Sequence, residues 1–137
     1  MNNLKISAGK DTLSIECDGK TGVIEMKGIS YPQDAADFFN PVFDWLESYI
    51  AKVKGQLSLN LHIDYVNTSS TKCLFDFIDR LEAYYKEGND VQVNWYYEQY
   101  DEDIKETGLE FQEDMDVPFS VIPYIKNEFD CDAISLP

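Results

Sequence analysis

Residues 57–72 read LSLNLHIDYVNTSSTK and contain the clearest structural pattern in the chain. Its first part alternates apolar with polar residues, which is the pattern of a strand that buries one face. The apolar positions are Leu57, Leu59, Leu61, Ile63 and Tyr65. The hydroxyl-rich second part interrupts the alternation and leads into residues spaced for a helix. The stretch therefore predicts a strand over 57–66 that is followed by a helix.

Helical spacing of apolar residues predicts one helix before this strand and one after it. The stripe before the strand consists of Val42, Trp45, Leu46, Tyr49, Ile50 and Val53. Asn40 and Pro41 resemble an N-cap followed by proline at the first helical position, after a separate helical turn over 34–39. The stripe after the strand consists of Cys73, Leu74, Phe77, Ile78, Leu81 and Tyr85. Gly55 ends the first helix and Gly88 ends the second.

The remaining patterns predict four further strands and an acidic helical segment. The strands cover 13–17, 23–29, 91–97 and 119–122, and the weakly amphipathic acidic segment covers 101–115. The first two strands form an antiparallel hairpin, whereas strands joined through helices are parallel, with right-handed crossovers. The order ββ-α-β-α-β-α-β predicts an α/β fold in a single domain over residues 1–137. Its core is a mixed sheet of about five strands with helices packed against it.

The charge of the chain limits the partners that it can bind. The net charge is −15, and residues 98–137 alone hold 12 acids and 2 bases, a net of −10. Such a surface repels nucleic-acid phosphates and anionic lipids, so we expect neither nucleic-acid nor membrane binding. Partners are expected to be basic or to carry a basic patch.

The three cysteines, Cys17, Cys73 and Cys131, lie far apart and lack a CxxC spacing. This pattern fits a reducing compartment in which they are small apolar residues or inert thiols. The N-terminal residues contain no apolar segment of a signal peptide, and no run of apolar residues is long enough to span a membrane. We therefore expect a soluble cytoplasmic protein.

The segment Asn67-Thr68-Ser69-Ser70-Thr71-Lys72 places four consecutive hydroxyls between the strand and the second helix. The simplest interpretation is helix capping, which requires one side-chain oxygen. The alternative is a phosphorylation site. A phosphate on a first-turn hydroxyl would lie at the positive end of the helix dipole, with Lys72 close by.

Three aromatic residues, Trp95, Tyr96 and Tyr97, end the next strand beside Asp101 and Asp103. Strand alternation buries about half of such residues. Any exposed remainder, with its acidic rim, would form a protein-binding hot spot. The alternative is that the aromatic residues belong to the core and that the acids form a solvated loop.

Catalytic and metal-binding motifs are not found in the sequence, so we expect neither an enzyme nor a cofactor. The only histidine, His62, lies in the middle of a strand without a second metal ligand and is best explained as a solvated or helix-covered strand residue. A calcium loop that starts at Asp101 would need Gly at its sixth position and Glu at its twelfth, where Glu106 and Gln112 stand. A hydrolase that uses two of the many carboxylates has no residue pair to support it. An acidic decoy that binds a basic protein without phosphorylation stays open as an alternative.

Several motifs along the chain together resemble the SiaC family of bacterial regulatory phosphoproteins. They are GISYP at 28–32, FxPxxxWL at 39–46, YxNTSSxK at 65–72, VNWYY at 93–97 and DED at 101–103. The resemblance implies a fold similar to the STAS domain of anti-sigma-factor antagonists, which agrees with the element order above. It also implies that the protein works in a partner-switching circuit.

In that circuit, a kinase of the histidine-kinase-like ATPase type phosphorylates a threonine, and a PP2C-type phosphatase removes the phosphate. The unphosphorylated protein binds and activates a diguanylate cyclase, which raises cyclic di-GMP and favours biofilm formation. The resemblance assigns the phosphate to Thr68, within a site formed by Asn67, Ser69, Ser70 and Lys72, with Ser69 or Ser70 as helix cap. The residues expected to contact partners are Tyr31, Trp95, Tyr97, Asp101 and Asp103.

Overall fold

The computed structural model of the protein describes residues 1–126 and 133–135. The strands are β1 (Leu4–Ile6), β2 (Ser14–Cys17), β3 (Val23–Ser30), β4 (Leu57–Val66), β5 (Val91–Glu98), β6 (Phe119–Lys126) and β7 (Ala133–Ser135). The helices are α1 (Ala35–Lys52), α2 (Thr68–Lys86) and α3 (Glu102–Glu113). The bounds of β4 match the strand predicted over 57–66.

Within the described residues, the seven strands form one sheet whose spatial order follows the chain from β1 to β7. The pairs β3–β4, β4–β5 and β5–β6 are parallel, and the remaining three pairs are antiparallel. This topology confirms the predicted α/β fold, with its leading hairpin and mixed sheet. The five predicted strands are β2 to β6, and the two added strands are three-residue edges, too short to give a pattern in the sequence.

Buried and less buried residues alternate along the strands, so one face of the sheet is covered and the other, which we call the open face, is not. Leu59, Leu61, Val93 and Trp95 are fully buried, whereas the residues between them are only half-buried. Because consecutive right-handed crossovers place their helices on one side of a sheet, α1, α2 and α3 all cover the same face. The other face carries polar side chains, and none of the helices in the described part of the chain covers it.

Hydrogen bonds between polar side chains connect the strands across the open face. The Asn60 amide donates to Glu25 at 3.0 Å, and the Asn94 amide donates to Asn60 at 2.9 Å. The Gln92 amide in turn donates to Asn94 at 3.0 Å. These contacts join β3, β4 and β5, and the side chains provide hydrogen-bond partners for one another.

The first helix begins earlier than the sequence predicted. The N-cap is Asp34, whose carboxylate accepts from the Asp37 backbone N–H at 3.0 Å, so the predicted cap at Asn40 is wrong. One continuous helix forms because Ala35 and Phe39 are buried and extend the apolar stripe toward the N-terminus. Pro41 lies inside this helix on its exposed side, where water can replace the missing backbone hydrogen bond.

A register shift near the end of β4 reverses which side chains of the strand face the covered side of the sheet. Gly28 of β3 pairs with Ile63, but Ile29 pairs with Tyr65, so Asp64 of β4 has no partner residue on β3. Gly28 has a φ of 110°, which glycine adopts without strain. Tyr65 is 42% exposed, so the prediction that it continues the buried alternation is wrong. The shift also exposes Ile29 and buries Ser30.

The acidic segment predicted over 101–115 contains α3, which packs on the sheet through Trp95. The indole Nε1 of Trp95 donates to the Ile104 carbonyl at 2.9 Å, and its ring lies 5.4 Å from that of Phe111. Gly108 faces this indole, and a Cβ at position 108 would overlap Cδ1 and Nε1 of Trp95. The contact therefore requires a residue without a side chain at this helical position.

We expect Gly108→Ala to lower the free energy of unfolding by about 1–3 kcal/mol, because overpacking a filled core costs more than the gain in helix propensity returns. Urea denaturation followed by circular dichroism measures the change. Glu106→Ala, at an exposed position of the same helix, is the control and should shift stability by less than about 0.5 kcal/mol. Equal stability of Gly108→Ala and wild type would contradict the packing described for Trp95.

Candidate functional site

The parallel strands bring three distant segments of the sequence to one edge of the sheet. Tyr31 directly follows β3, Asn67 directly follows β4, and Asp101 lies just beyond β5. Because β3, β4 and β5 are neighbours and run in parallel, their carboxyl ends meet at that edge. The topology thus assembles most of the predicted site residues.

Asn67 fixes the start of α2. Its backbone is extended, and its side-chain Oδ1 accepts from the Ser70 backbone N–H at 2.9 Å. Asn67 is therefore the N-cap, and the predicted cap at Ser69 or Ser70 is wrong. Asparagine caps a helix from the residue before its first turn, and that position belongs to Asn67.

The four hydroxyls of the segment lie in different environments. Ser70 is fully buried and its Oγ accepts from Ser30 Oγ at 2.7 Å. Thr71 donates through Oγ1 to the Asn67 carbonyl at 3.0 Å. Thr68 and Ser69, the first two residues of the helix, are exposed. Two of the four hydroxyls are thus hydrogen-bonded within the protein, and the other two belong to exposed residues that another protein can reach.

The electrostatic environment of Thr68 tolerates negative charge. Thr68 is the first residue of a 19-residue helix that has no acid in its first turn. The unpaired backbone N–H groups and the helix dipole favour an anion there. Lys72 lies one turn further along the helix and is also exposed, which places a cation within the reach of an i, i+4 pair.

Two predicted partner contacts are not on the surface. Trp95 is fully buried under α3, and Tyr97 is only 8% exposed. Both lie on the face of β5 that the helices cover, so the prediction that they lie at the surface is wrong. Tyr96, between them, is half-buried on the open face and stacks on His62 with ring centroids 4.3 Å apart. Burial lowers the pKa of His62, and the nearby Lys27 lowers it further.

The other three predicted contacts lie at the same edge of the sheet as Thr68. Tyr31 is 55% exposed, Asp103 is exposed, and Asp101 is half-buried. Asp101 also caps α3, because its carboxylate accepts from the Ile104 backbone N–H at 3.1 Å. A cavity of about 300 Å³ joins the end of β4 to the start of α3 and includes Asp101 and Asp103 in its lining.

Sequence reasoning missed Tyr65 as a surface residue. Its ring lies 5.9 Å from that of Tyr31, so the two tyrosines form an exposed aromatic pair beside the start of α2. The available signal was Gly28, because an isolated glycine within a strand pattern indicates a bulge. Only the pairing of β3 with β4 shows that the bulge redirects Tyr65.

No metal centre or membrane-spanning element is found among the described residues. No group of three or more His, Cys, Asp or Glu side chains there could hold a metal ion. No helix in this part of the chain is long and apolar enough to cross a bilayer. Burial raises the pKa of Cys17 to about 12 and also raises that of Cys73, which keeps both thiols protonated. Cys131 lies outside the described residues.

Comparison with known proteins agrees with this arrangement. The model of the SiaC family of regulatory phosphoproteins matches residues 6–124. The chain belongs to the SiaC family. An uncharacterized protein of Pseudomonas aeruginosa (strain UCBPP-PA14) is 36% identical over 121 residues, which cover 88% of this chain and 96% of that protein.

Solved structures of SiaC from Pseudomonas aeruginosa show the same fold. Apo-SiaC has a TM-score of 0.83 and is 35% identical over 88% of this chain and 98% of its own. SiaC in complex with the diguanylate cyclase SiaD, of which it is the activator, has a TM-score of 0.84 with the same identity and coverage. The family match, over residues 6–124, includes the sheet edge that carries Thr68.

We expect Asn67→Ala to destabilise the protein by about 1 kcal/mol, because the Ser70 N–H loses its acceptor at the end of the helix. Chemical denaturation measures this difference. Ser69→Ala removes an exposed hydroxyl from the same turn and should change stability by less than about 0.5 kcal/mol. A larger loss from Ser69→Ala than from Asn67→Ala would refute the capping role of Asn67.

Proposed function

We propose that this protein is a non-enzymatic switch whose phosphorylation at Thr68 controls its binding to a diguanylate cyclase. The observation that carries the proposal is the exposed Thr68 hydroxyl on the first residue of α2 in a SiaC-family chain. A kinase of the histidine-kinase-like ATPase type adds the phosphate, and a PP2C-type phosphatase removes it. The circuit operates in the cytoplasm and adjusts cyclic di-GMP and biofilm formation.

The cyclase partner is inferred from a relative. SiaC of Pseudomonas aeruginosa activates the diguanylate cyclase SiaD and forms a complex with it. The present chain is 35% identical to that protein and covers 98% of it. We infer that the unphosphorylated form of the present chain binds and activates a cyclase of the same class.

The position of Thr68 explains how one phosphate can switch binding without disturbing the fold. Within the protein, the dianion lies at the N-terminus of a helix with Lys72 nearby, and both offset the repulsion from the acids of the facing wall, Glu110 and Asp114. Towards a partner, it introduces about two negative charges into the contact surface. A partner surface that fits the neutral hydroxyl must then desolvate a dianion, which breaks the fit.

Ser69 and Ser70 are less suited to this role. The buried Ser70 hydroxyl is hydrogen-bonded to Ser30, and a phosphate there would separate α2 from β3. Ser69 is exposed but lies on the second helical residue, outside the groove between α2 and α3 that Thr68 lines. We therefore assign the phosphate to Thr68 alone.

We expect one phosphate per chain on Thr68 after incubation with ATP and the kinase of the same circuit. Intact-mass and peptide mass spectrometry measure the number and the position of the phosphates. Thr68→Ala should remain unmodified, whereas Ser69→Ala should still be modified. A Thr68→Ala protein that takes up the phosphate to the same extent as wild type would exclude the assignment.

We expect Thr68→Glu to weaken binding to the diguanylate cyclase of the same genome by roughly tenfold or more, because the introduced charge lies within the contact surface. Isothermal titration calorimetry measures the affinity. The melting temperature should change by less than about 2 °C, since Thr68 is exposed at the start of the helix. Thr68→Gln is the uncharged control of similar size and should retain more affinity.

Equal affinity of wild type and Thr68→Glu would count against the switch. The dependence of binding on Thr68 separates the switch from an acidic decoy. Decoy binding falls steeply with ionic strength and is indifferent to Thr68, whereas the switch requires a specific loss at this one position.

A further inference from the structure

A groove between α2 and α3 opens directly beside Thr68. Its floor is Val66, at the end of β4, and its volume is about 560 Å³. One wall consists of Thr68, Thr71, Lys72 and Phe75, and the other of Thr107, Glu110, Phe111 and Asp114. We call this feature the interhelical groove.

Both walls of the interhelical groove have the same spacing. The four residues on α2, and the three on α3 together with its C-cap Asp114, each follow the pattern i, i+3, i+4, i+7, which is one continuous face of a helix. Each wall is therefore two helical turns long, about 10 Å at a rise of about 1.5 Å per residue. A groove between two helices with these dimensions matches a short third helix laid along it.

The base of the interhelical groove is apolar. Phe75 and Phe111 have ring centroids 6.1 Å apart and approach in a stacked orientation. Phe111 is buried, but Phe75 remains 36% exposed, which is high for a phenylalanine in a folded chain. Together with Val66, these rings provide the kind of apolar surface that anchors a partner side chain.

The separation of the two helices is fixed by a buried carboxylate. Glu82 of α2 is 8% exposed and accepts hydrogen bonds from the backbone N–H groups of Asp116 and Val117, just after α3. The Trp95 indole holds the start of α3 on the sheet. The groove is therefore preformed, which reduces the ordering cost of binding.

Charge determines which partner fits. The charged residues of the walls are Glu110 and Asp114 on α3, which are exposed, and Lys72 on α2. Residues 98–116 contain nine acids and one lysine. This field repels a nucleotide or another phosphate ligand and attracts a peptide that carries Lys or Arg.

We propose that the interhelical groove receives a two-turn amphipathic helix of the cyclase, with apolar residues on Phe75 and Phe111 and basic residues facing Glu110 and Asp114. This inference rests on the proposed function and specifies its contact surface. It also gives the switch a mechanism, because Thr68 lines the same groove. A phosphate on Thr68 occupies one end of the groove and must be desolvated against the apolar side of the incoming helix.

The apolar contact is tested by Phe75→Ala, with Leu109→Ala as its matched control. Phe75 is 36% exposed and Leu109 is 37% exposed, and each lies on one of the two helices, but Leu109 does not line the groove. Calorimetry with the purified diguanylate cyclase of the same genome should show a loss of roughly tenfold or more for Phe75→Ala. Leu109→Ala should bind within about twofold of wild type.

The charge contact is tested without altering the apolar base. The double variant Glu110→Lys/Asp114→Lys reverses the acidic wall, whereas Glu106→Lys/Glu113→Lys makes the same change in net charge on exposed positions of α3 that do not line the groove. The first variant should lose roughly tenfold in affinity relative to the second. Comparing the two separates local contacts from long-range attraction, which both variants reduce alike.

The outcomes distinguish this inference from the proposed function. If Thr68→Glu weakens binding but both groove variants bind like their controls, the groove is not the contact surface and the switch still stands. If the wild-type protein does not bind the cyclase, both proposals fail. A dimer of the protein alone that Phe75→Ala dissociates in analytical ultracentrifugation would assign the groove to a second copy and overturn the inference.

Discussion

The hydrogen bond from the Ser70 N–H to the Asn67 side chain fixes where α2 begins, and the proposed site depends on that point. A second contact, between the buried hydroxyls of Ser30 and Ser70, holds the same turn against β3. Together they leave Thr68 as the first helical residue, outside the core and at the positive end of the helix dipole. The hydroxyl is therefore accessible to another protein while its backbone is held in place.

The proposed phosphate at this junction would have opposite effects inside and outside the protein. Inside, it meets free N–H groups, the helix dipole and Lys72, all of which favour an anion. Outside, it would lie at one end of a groove whose base is apolar and whose α3 wall is acidic. Local tolerance combined with a large effect on docking is what a switch requires, because modification must change the partner and not the fold.

The predictions succeeded where the local sequence pattern matches the burial of the same residues in the folded protein. The alternation from Leu57 to Ile63 gave β4 because every apolar residue in it faces the covered side of the sheet. The predictions failed where a distant contact determines the outcome. Asn40 preceding Pro41 has the chemistry of a cap, yet the buried Phe39 extends α1 past it to Asp34. Tryptophan is a residue type common in binding surfaces, yet Gly108 allows α3 to cover Trp95.

The α/β element order, the acidic charge and the family motif that contains Thr68 follow from the sequence alone, because each can be read without knowing which segments pack together. The cap at Asn67, the exposure of Tyr65 and the contact between Phe75 and Phe111 become visible only in the folded structure. The bulge opposite Gly28 and the distance between α2 and α3 arise from pairing between segments far apart in sequence. Periodicity within one segment records which residues share a face, but not which other segment packs against that face.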